Sequence, residues 1–547
     1  MWFAPHPATL LSGVLIFFFL PPLDVYPLGW VCLVPWLVLL PRLPSLARAL
    51  LQGAWLSLIV GLTTYSWIFR TLREFGQLHW APSMTGWVLF ALFCQPQFLL
   101  LGPLYRWLLL RIPTPGLSPA VQLLRVFGLT VLYGATEAVV PKLFTDTLGH
   151  GLIAANNVRQ VADIGGTPLL TFLVVVGNFG FAQLWEHRRE WRRFLAPVLL
   201  AAGLLLLAWG YGFWRRRDIE RLMATSATWV TAAMVQGNIG SPQKYAAEHG
   251  RTGVAEAILR TYLDLSTEAL RKEPKADFVV WPETAYPARF RSPRSSFDLR
   301  LERRVEAFVF GQQTPLVYGA YTWDGHKEYN SLLVLLPPGL RGEEPPLPDV
   351  QAYSKHRLLA FGEYLPGAET FPSLAKLVPT VGHLGAGPGS AVLTLATHNP
   401  QAPRIRLVPL ICYEALFPDY VLEVLPKEPQ LLLTIANDSW FGDMLEPQQH
   451  LELSSFRTIE TRLPLLRVTN TGVTALVSPT GDILETMPAR QAVARTVRVP
   501  LTKAPRTFFA GVGHWFGKLQ VLLALVSVLG LLRVVKKGRL RSESVTP

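Results

Sequence analysis

Eight apolar runs dominate this chain, seven before residue 215 and one near the carboxyl end: Thr9–Leu20, Tyr26–Leu40, Leu51–Phe69, Met84–Leu110, Leu123–Val140, Thr167–Leu184, Phe194–Trp214 and Phe516–Val534. With half of its 547 residues hydrophobic, the chain is too apolar for an ordinary water-soluble protein. A helix crossing a bilayer needs roughly 20 apolar residues. The first two runs fall short of that, and either span or form one hairpin dipping into the membrane; the spanning reading is carried forward. Between Ser226 and Pro500 the charge density and the short, β-branched patterning are those of a globular domain. The expected architecture is a polytopic α-helical membrane domain of about eight transmembrane helices, interrupted by an α/β domain. Its parts are residues 1–225 with seven helices, 226–500 facing water, and 501–547 with one helix and a basic tail.

The net charge of +13 is compatible with binding nucleic acid or anionic lipid, or with topology signals. The basic residues lie mostly between apolar runs and in the tail, so nucleic acid is not an expected partner. If all eight runs span, Arg42 and Arg48, Arg106 and Arg111, Arg188, Arg189, Arg192 and Arg193, and the tail residues Lys536, Lys537, Arg539 and Arg541 share one side. That side is cytoplasmic by the positive-inside rule, which puts the 226–500 domain on the far side of the membrane. Arg215, Arg216 and Arg217 run against the pattern, although long domains cross largely regardless of charge and Asp218 and Glu220 stand beside them. The amino terminus has neither the basic region nor the small-residue cleavage site of a removable signal peptide. Three cysteines cannot build a disulfide framework; Cys32 and Cys94 read as small hydrophobes, and Cys412 alone has polar company.

Strands are expected at Trp229–Val235, Phe278–Trp281, Leu316–Tyr321, Ser331–Leu336, Ile405–Ile411, Leu431–Ile435, Leu465–Thr469 and Thr474–Ser478. Helical or turn-rich stretches such as Val254–Arg271 separate them, and Pro337–Pro348 reads as an exposed loop. Three ionisable residues stand at or just beyond strand ends: Glu283 after Val-Val-Trp-Pro, Lys355 after Tyr-Ser, and Cys412 after Val-Pro-Leu-Ile. Singly, each has a bland explanation as a turn, solvated or core residue. Together they supply covalent acyl chemistry: a carboxylate to take the thiol proton, a thiolate to attack a carbonyl, and an ammonium to stabilise the oxyanion and favour thiol ionisation.

With their flanks these residues resemble the nitrilase superfamily, and within it the bacterial apolipoprotein N-acyltransferases. The resemblance runs, in order, through Met234–Ile239, Trp281–Ala285, Phe361–Pro366, Ile411–Glu414, Ile435–Gly442 and Arg467–Gly472. In the membrane part it rests on layout and on isolated points such as Glu137, Gln160 and Asn178. It implies an αββα sandwich with Glu283 as general base, Lys355 as oxyanion stabiliser and Cys412 as nucleophile. It further implies Glu363 as a second essential carboxylate near Lys355, Tyr413 and Glu414 shaping the nucleophile's pocket, and Trp440 and Phe441 near the acyl-chain entrance. The sequence departs from the family at Arg357-Leu358-Leu359-Ala360, where a His and a Pro are usual, which bears on the rigidity of that loop. It departs again at Tyr245, where many members carry Trp, which bears on the lipid contact.

His450 is expected to pack or hydrogen-bond rather than bind metal, since no second His or Cys has ligand spacing, and neither metal nor cofactor is expected. Gly165-Gly166 lacks phosphate-loop context, and Arg533–Arg541 reads as a headgroup anchor. The activity implied by the resemblance is transfer of an acyl group from a membrane phospholipid, through a Cys thioester, to the amino terminus of a diacylglyceryl apolipoprotein in a bacterial inner membrane. The chain is expected to act as a monomer. A membrane-tethered amidase shares the same three residues but needs one helix, not eight. A transporter or scaffold carrying a dead domain would have no reason to keep them.

Overall fold

The computed structural model describes residues 4–543 apart from 112–117, 273–274, 343–345, 369, 372, 374–381, 443–444 and 504. Part of the Pro337–Pro348 stretch, and the side chains of the basic tail beyond Arg533, lie outside the described residues. Two units emerge: a helical one formed by Met1–Leu72, Leu78–Arg216 and Thr507–Pro547, and a second formed by Arg73–Gln77 and Arg217–Arg506.

Each expected apolar run is helical over most of its length, but the helices are not uniform. Among the described residues four are long and apolar enough to cross a membrane: Leu46–Thr64, Val158–Glu186, Arg188–Ser226 and Gly513–Arg533. A fifth appears if Trp80–Phe93 and Gln97–Arg111, bent by 41°, form one span. Pro96 sits in that break, where it offers no N–H and disfavours helical backbone at Gln95. Pro7–Phe19 and Tyr26–Arg42 are apolar but short. Pro119–Val139 is diluted by Gln122, Arg125 and Glu137, all buried. Length and composition thus support four or five spans where eight were expected, because counting apolar runs overlooks the polar groups that such helices turn inward.

Those groups have partners. Asn178 accepts from Leu33 N (2.7 Å) and donates to Gly29 O (2.6 Å), satisfying backbone that the broken Tyr26–Arg42 segment leaves open. Glu137 accepts from Leu148 N at 3.1 Å, and Gln160 donates to Asn156 O at 3.0 Å. Gly166 has φ +64°, and a Cβ there would lie 2.5 Å from the Phe509 ring, so Gly165-Gly166 is a packed helix kink.

Among the described residues the second unit has twelve strands: β1 (Thr228–Gln236), β2 (Phe278–Val280), β3 (Leu316–Trp323), β4 (Glu328–Leu335), β5 (Val350–Ser354), β6 (Leu393–Ala396), β7 (Arg404–Ile411), β8 (Leu431–Ala436), β9 (Leu465–Thr469), β10 (Thr474–Val477), β11 (Ile483–Met487) and β12 (Val493–Leu501). They form two six-stranded sheets, ordered β12-β1-β2-β3-β4-β5 and β11-β10-β9-β8-β7-β6. In each sheet three central strands run parallel, β1-β2-β3 and β7-β8-β9, and the outer pairings are antiparallel.

Alternation along the strands builds the layers. Val230, Ala232, Met234, Val280, Leu332 and Val334 share one core with Leu407, Leu410, Leu433 and Val468 of the other sheet. Ala233, Val235, Val279, Trp281, Tyr318 and Leu333 instead face the helices Thr252–Arg271 and Ser296–Gln312. Helix Glu446–Thr461 packs on β9 and β10. Strands covered on both faces read as continuous apolar runs, and so the eight expected strands all exist. The four unexpected ones, β5, β6, β11 and β12, are the four sheet edges. Edge strands keep solvent-facing polar residues, and β11 buries only Met487, so their sequences lack the apolar run.

The turn after β2 folds tightly over β3 at Gly319. A Cβ on Gly319 would lie 2.5 Å from Thr284 N and 2.6 Å from Glu283 Cα, backbone atoms that have no room to yield. Gly319→Ala is expected to cost about 1–3 kcal/mol, while Gly311→Ala, which meets nothing within 4 Å, should leave stability unchanged or slightly higher. Thermal unfolding of the detergent-purified full chain checks this, and equal melting temperatures for the two variants would refute the packing argument.

Candidate active site

Glu283, Lys355 and Cys412 stand just past the ends of β2, β5 and β7. Cys412 has φ +52°, a left-handed conformation that costs a residue with a Cβ about 1–2 kcal/mol. The backbone there is held from outside. Glu414, with no exposed surface, accepts from Ile411 N (2.8 Å), His356 N (2.8 Å), Arg357 N (3.1 Å) and the Tyr353 hydroxyl (2.6 Å). One carboxylate therefore ties the end of β7 in one sheet to the end of β5 in the other, and with them the thiol and the ammonium. Glu414 shapes the site through these backbone bonds. Tyr413 packs edge-on against Phe417, ring centres 4.8 Å apart.

Lys355, 2% exposed, donates to Glu363 Oε1 at 2.8 Å and lies 3.8 Å from Glu283 Oε1. Glu363 Oε2 accepts from Leu359 N at 2.8 Å. The departure at residues 357–360 does not leave the loop loose: the backbone N–H groups of Arg357 and Leu359 are both bound by site carboxylates, and the Arg357 side chain pairs with Asp419 at 3.0 Å.

Two residues that the sequence reading passed over complete the arrangement. Asn330, in β4, donates to Glu283 Oε1 at 2.6 Å and reaches Glu363 Oε1 at 3.3 Å. Its only signal in the sequence is an amide at the start of the apolar run Ser331–Leu336. Lys244 donates to Glu283 O (3.1 Å) and Thr284 Oγ1 (2.8 Å), gripping the backbone of the carboxylate turn. Burial pulls its pKa down to about 8, against the attraction of Glu283.

The charges are unequal, and that decides the resting state. Burial raises the Glu283 pKa, Lys355 opposes this and Glu363 adds to it. Burial would lower Lys355, but Glu363 and Glu283 override it and hold the amine as ammonium. For Cys412, burial and then the Glu283 charge raise the thiol well above its ordinary value, and Lys355 offsets only part of this. Burial, with the Glu283 charge beside it, thus favours the protonated thiol.

Glu283, Asn330 and Glu363 line a cavity of about 810 Å³, together with Tyr245, Trp440 and Phe75. Trp440 stacks on Phe75 with ring centres 3.6 Å apart. Tyr245 is exposed and stacks on His249. Phe441, expected beside Trp440 at an entrance, is buried and does not line the cavity. His450 comes next to Cys412 through space: ligand atoms of Cys412, Asp438 and His450 lie within 4.8 Å of one another. Asp438 is taken by Arg467 at 2.8 Å and the His450 Nε2 faces Cys412 O at 3.2 Å, so the group is built as a polar network around a guanidinium, which disfavours a dication.

Comparison with known proteins finds relatives that match both units of the chain. Residues 231–502 match the carbon-nitrogen hydrolase family, and residues 12–180 match the apolipoprotein N-acyltransferase N-terminal domain. The apolipoprotein N-acyltransferase of Bdellovibrio bacteriovorus is 33% identical over 537 residues, 95% of this chain and 93% of its own. That of Geobacter metallireducens is 30% identical over 490 residues, 87% of this chain and 85% of its own. Among solved structures, Saccharomyces cerevisiae Nit3, a nitrilase-superfamily member, aligns with 54% of this chain and 97% of its own at 15% identity and a TM-score of 0.34. Matched along almost its whole length by enzymes of one kind, and carrying both of the domains above, the chain belongs to the apolipoprotein N-acyltransferase family.

Proposed function

We propose that the chain moves a fatty acyl group from a membrane phospholipid to the α-amine of a diacylglyceryl-cysteine at an apolipoprotein's amino terminus, with Cys412 carrying the acyl group between them. The observation that carries this reading is the convergence of Glu283, Lys355, Glu363 and Cys412 at the ends of strands from both sheets. In the first half-reaction Glu283 takes the thiol proton as sulfur attacks the ester carbonyl. The Lys355 ammonium stabilises the tetrahedral oxyanion. Collapse breaks the ester C–O bond, and the departing lysophospholipid oxygen receives the proton from Glu283. In the second half the neutral α-amine attacks the thioester, Glu283 accepts its proton, and the sulfur leaves and is reprotonated. Glu363 and Asn330 keep Lys355 and Glu283 in register.

The membrane body suits two lipid substrates, and we place the catalytic unit on the periplasmic side of a bacterial inner membrane with both chain ends cytoplasmic. The conflicting Arg215 is largely neutralised: its Nε lies 3.0 Å from Asp163 Oδ2, both side chains mostly buried, so it is a weak topology signal. Alkaline phosphatase fused within residues 311–335 should be active and fused near Val535 inactive; the reverse pattern would sink this topology.

Phospholipid alone should give a stoichiometric burst of lysophospholipid and a hydroxylamine-sensitive adduct on Cys412, with sustained turnover only after acceptor lipopeptide is added. Cys412→Ala should abolish both, whereas Cys32→Ala and Cys94→Ala should be nearly silent. Lysophospholipid released only when both substrates are present, with no adduct ever trapped, would mean direct transfer in a ternary complex.

Glu283→Gln and Lys355→Met should each slow acylation by on the order of 10²–10³ or more without unfolding the protein. Single-turnover rates, read beside melting temperatures, separate loss of chemistry from loss of fold.

A further inference from the structure

Behind the nucleophile lies a sealed polar cluster that the mechanism above does not use. Asp438, just past β8, and Arg467, in the middle of β9, form a 2.8 Å ion pair with no side-chain exposure. A Cβ on Gly472 would sit 1.9 Å from Asp438 Oδ2, so the glycine in Thr471-Gly472 is what admits the carboxylate. Arg467 also lies 3.3 Å from His450 Nδ1, and Glu446 Oε1 lies 3.3 Å from the same nitrogen. Asp438 Oδ1 stands 3.8 Å from it. The other ring nitrogen, Nε2, faces the carbonyl oxygen of Cys412 at 3.2 Å.

The Cys412 carbonyl oxygen can only accept, so the Nε2 it faces carries the ring proton, and Nδ1, opposite a guanidinium that can only donate, is the bare nitrogen. Burial and Arg467 push the His450 pKa well below its ordinary value, with Lys355 acting in the same direction, while burial raises both Asp438 and Glu446. The imidazole is thus a neutral donor. Cys412 occupies left-handed backbone that is held on either side: the peptide unit entering Ile411 by Glu414, through Ile411 N, and the unit leaving Cys412 by His450, through Cys412 O.

Resting on the reading of Cys412 as the nucleophile, we propose that His450 is a positioning residue, whose Nε2–H holds the Cys412 carbonyl and thereby aims the thiol, with Arg467, itself held by Asp438, keeping Nδ1 unprotonated. The motifs Asn437-Asp438 and Arg467–Gly472 acquire a purpose in this arrangement, as parts of the support for a hydrogen bond made by a residue neither contains.

The test is single-turnover acylation of the full-length enzyme in phospholipid–detergent micelles, followed by intact-protein mass, for His450→Leu, His450→Gln and His450→Asn. A misaimed nucleophile costs about 10²-fold in the first-order rate. His450→Leu should show that loss with an unchanged half-saturating phospholipid concentration. His450→Gln, whose amide nitrogen can reach the position of Nε2, should recover to within about tenfold of wild type, and the shorter His450→Asn should not. Wild-type rates in His450→Leu, a loss confined to half-saturation, or a Gln variant as slow as Asn would each overturn the proposal; the last comparison decides it even if the Leu variant does not fold. Cys412→Ala is run alongside. Should it still transfer acyl groups, the nucleophile reading falls and this inference with it; should it be inert while His450→Leu acylates at full rate, only this inference falls.

Discussion

A single buried carboxylate joins the two sheets where the chemistry sits. Glu414 gathers three backbone N–H groups and a phenol from the ends of β5 and β7, strands belonging to different sheets. Sheet-on-sheet packing is apolar and tolerates small slips, whereas four hydrogen bonds converging on one group do not. Hydrogen bonds to a charged partner are worth about 1.5–3 kcal/mol each, and losing the acceptor strands buried donors. The distance between Lys355 and Cys412 is thereby set by geometry rather than by the softer complementarity of side chains.

Upon that frame the site is assembled with a deliberate excess of negative charge. A thiolate waiting beside Lys355 would be available to any passing electrophile; burial, with the Glu283 charge adding to it, favours the neutral thiol instead. In the mechanism proposed above, deprotonation is deferred to the moment of attack, when Glu283 accepts the proton and the ammonium meets the developing oxyanion. The excess charge also explains Asn330 and Lys244. A carboxylate buried against a second carboxylate needs hydrogen bonds to stay in place, and these two residues hold its side chain and its backbone respectively.

What the sequence discloses follows from how each residue earns its environment. Central strands buried on both faces betray themselves as apolar runs, and all eight were legible; edge strands such as Ile483–Met487, half in water, were not. Glu283, Lys355 and Cys412 were legible because short, ordered motifs surround them. Asn330, Lys244 and the link from His450 to Cys412 were not, since each acts on a partner tens of residues distant in the chain and nothing local marks it. Of the eight helical runs, length and composition support four or five as spans among the described residues; hydropathy registers apolar length but not the inward-facing Gln122, Arg125 and Glu137 of Pro119–Val139.

The left-handed backbone of Cys412 has a consequence for how such a site is kept through evolution. Glycine adopts that conformation freely, so a chain with glycine at 412 would shed about 1–2 kcal/mol of strain. Selection for foldedness alone would drift away from cysteine; under the role proposed for Cys412, demand for the reaction is what retains it. An inactive descendant of this enzyme should therefore be recognisable not by a ruined domain but by one that has relaxed, more stable than its parent and with its sharpest turn made comfortable.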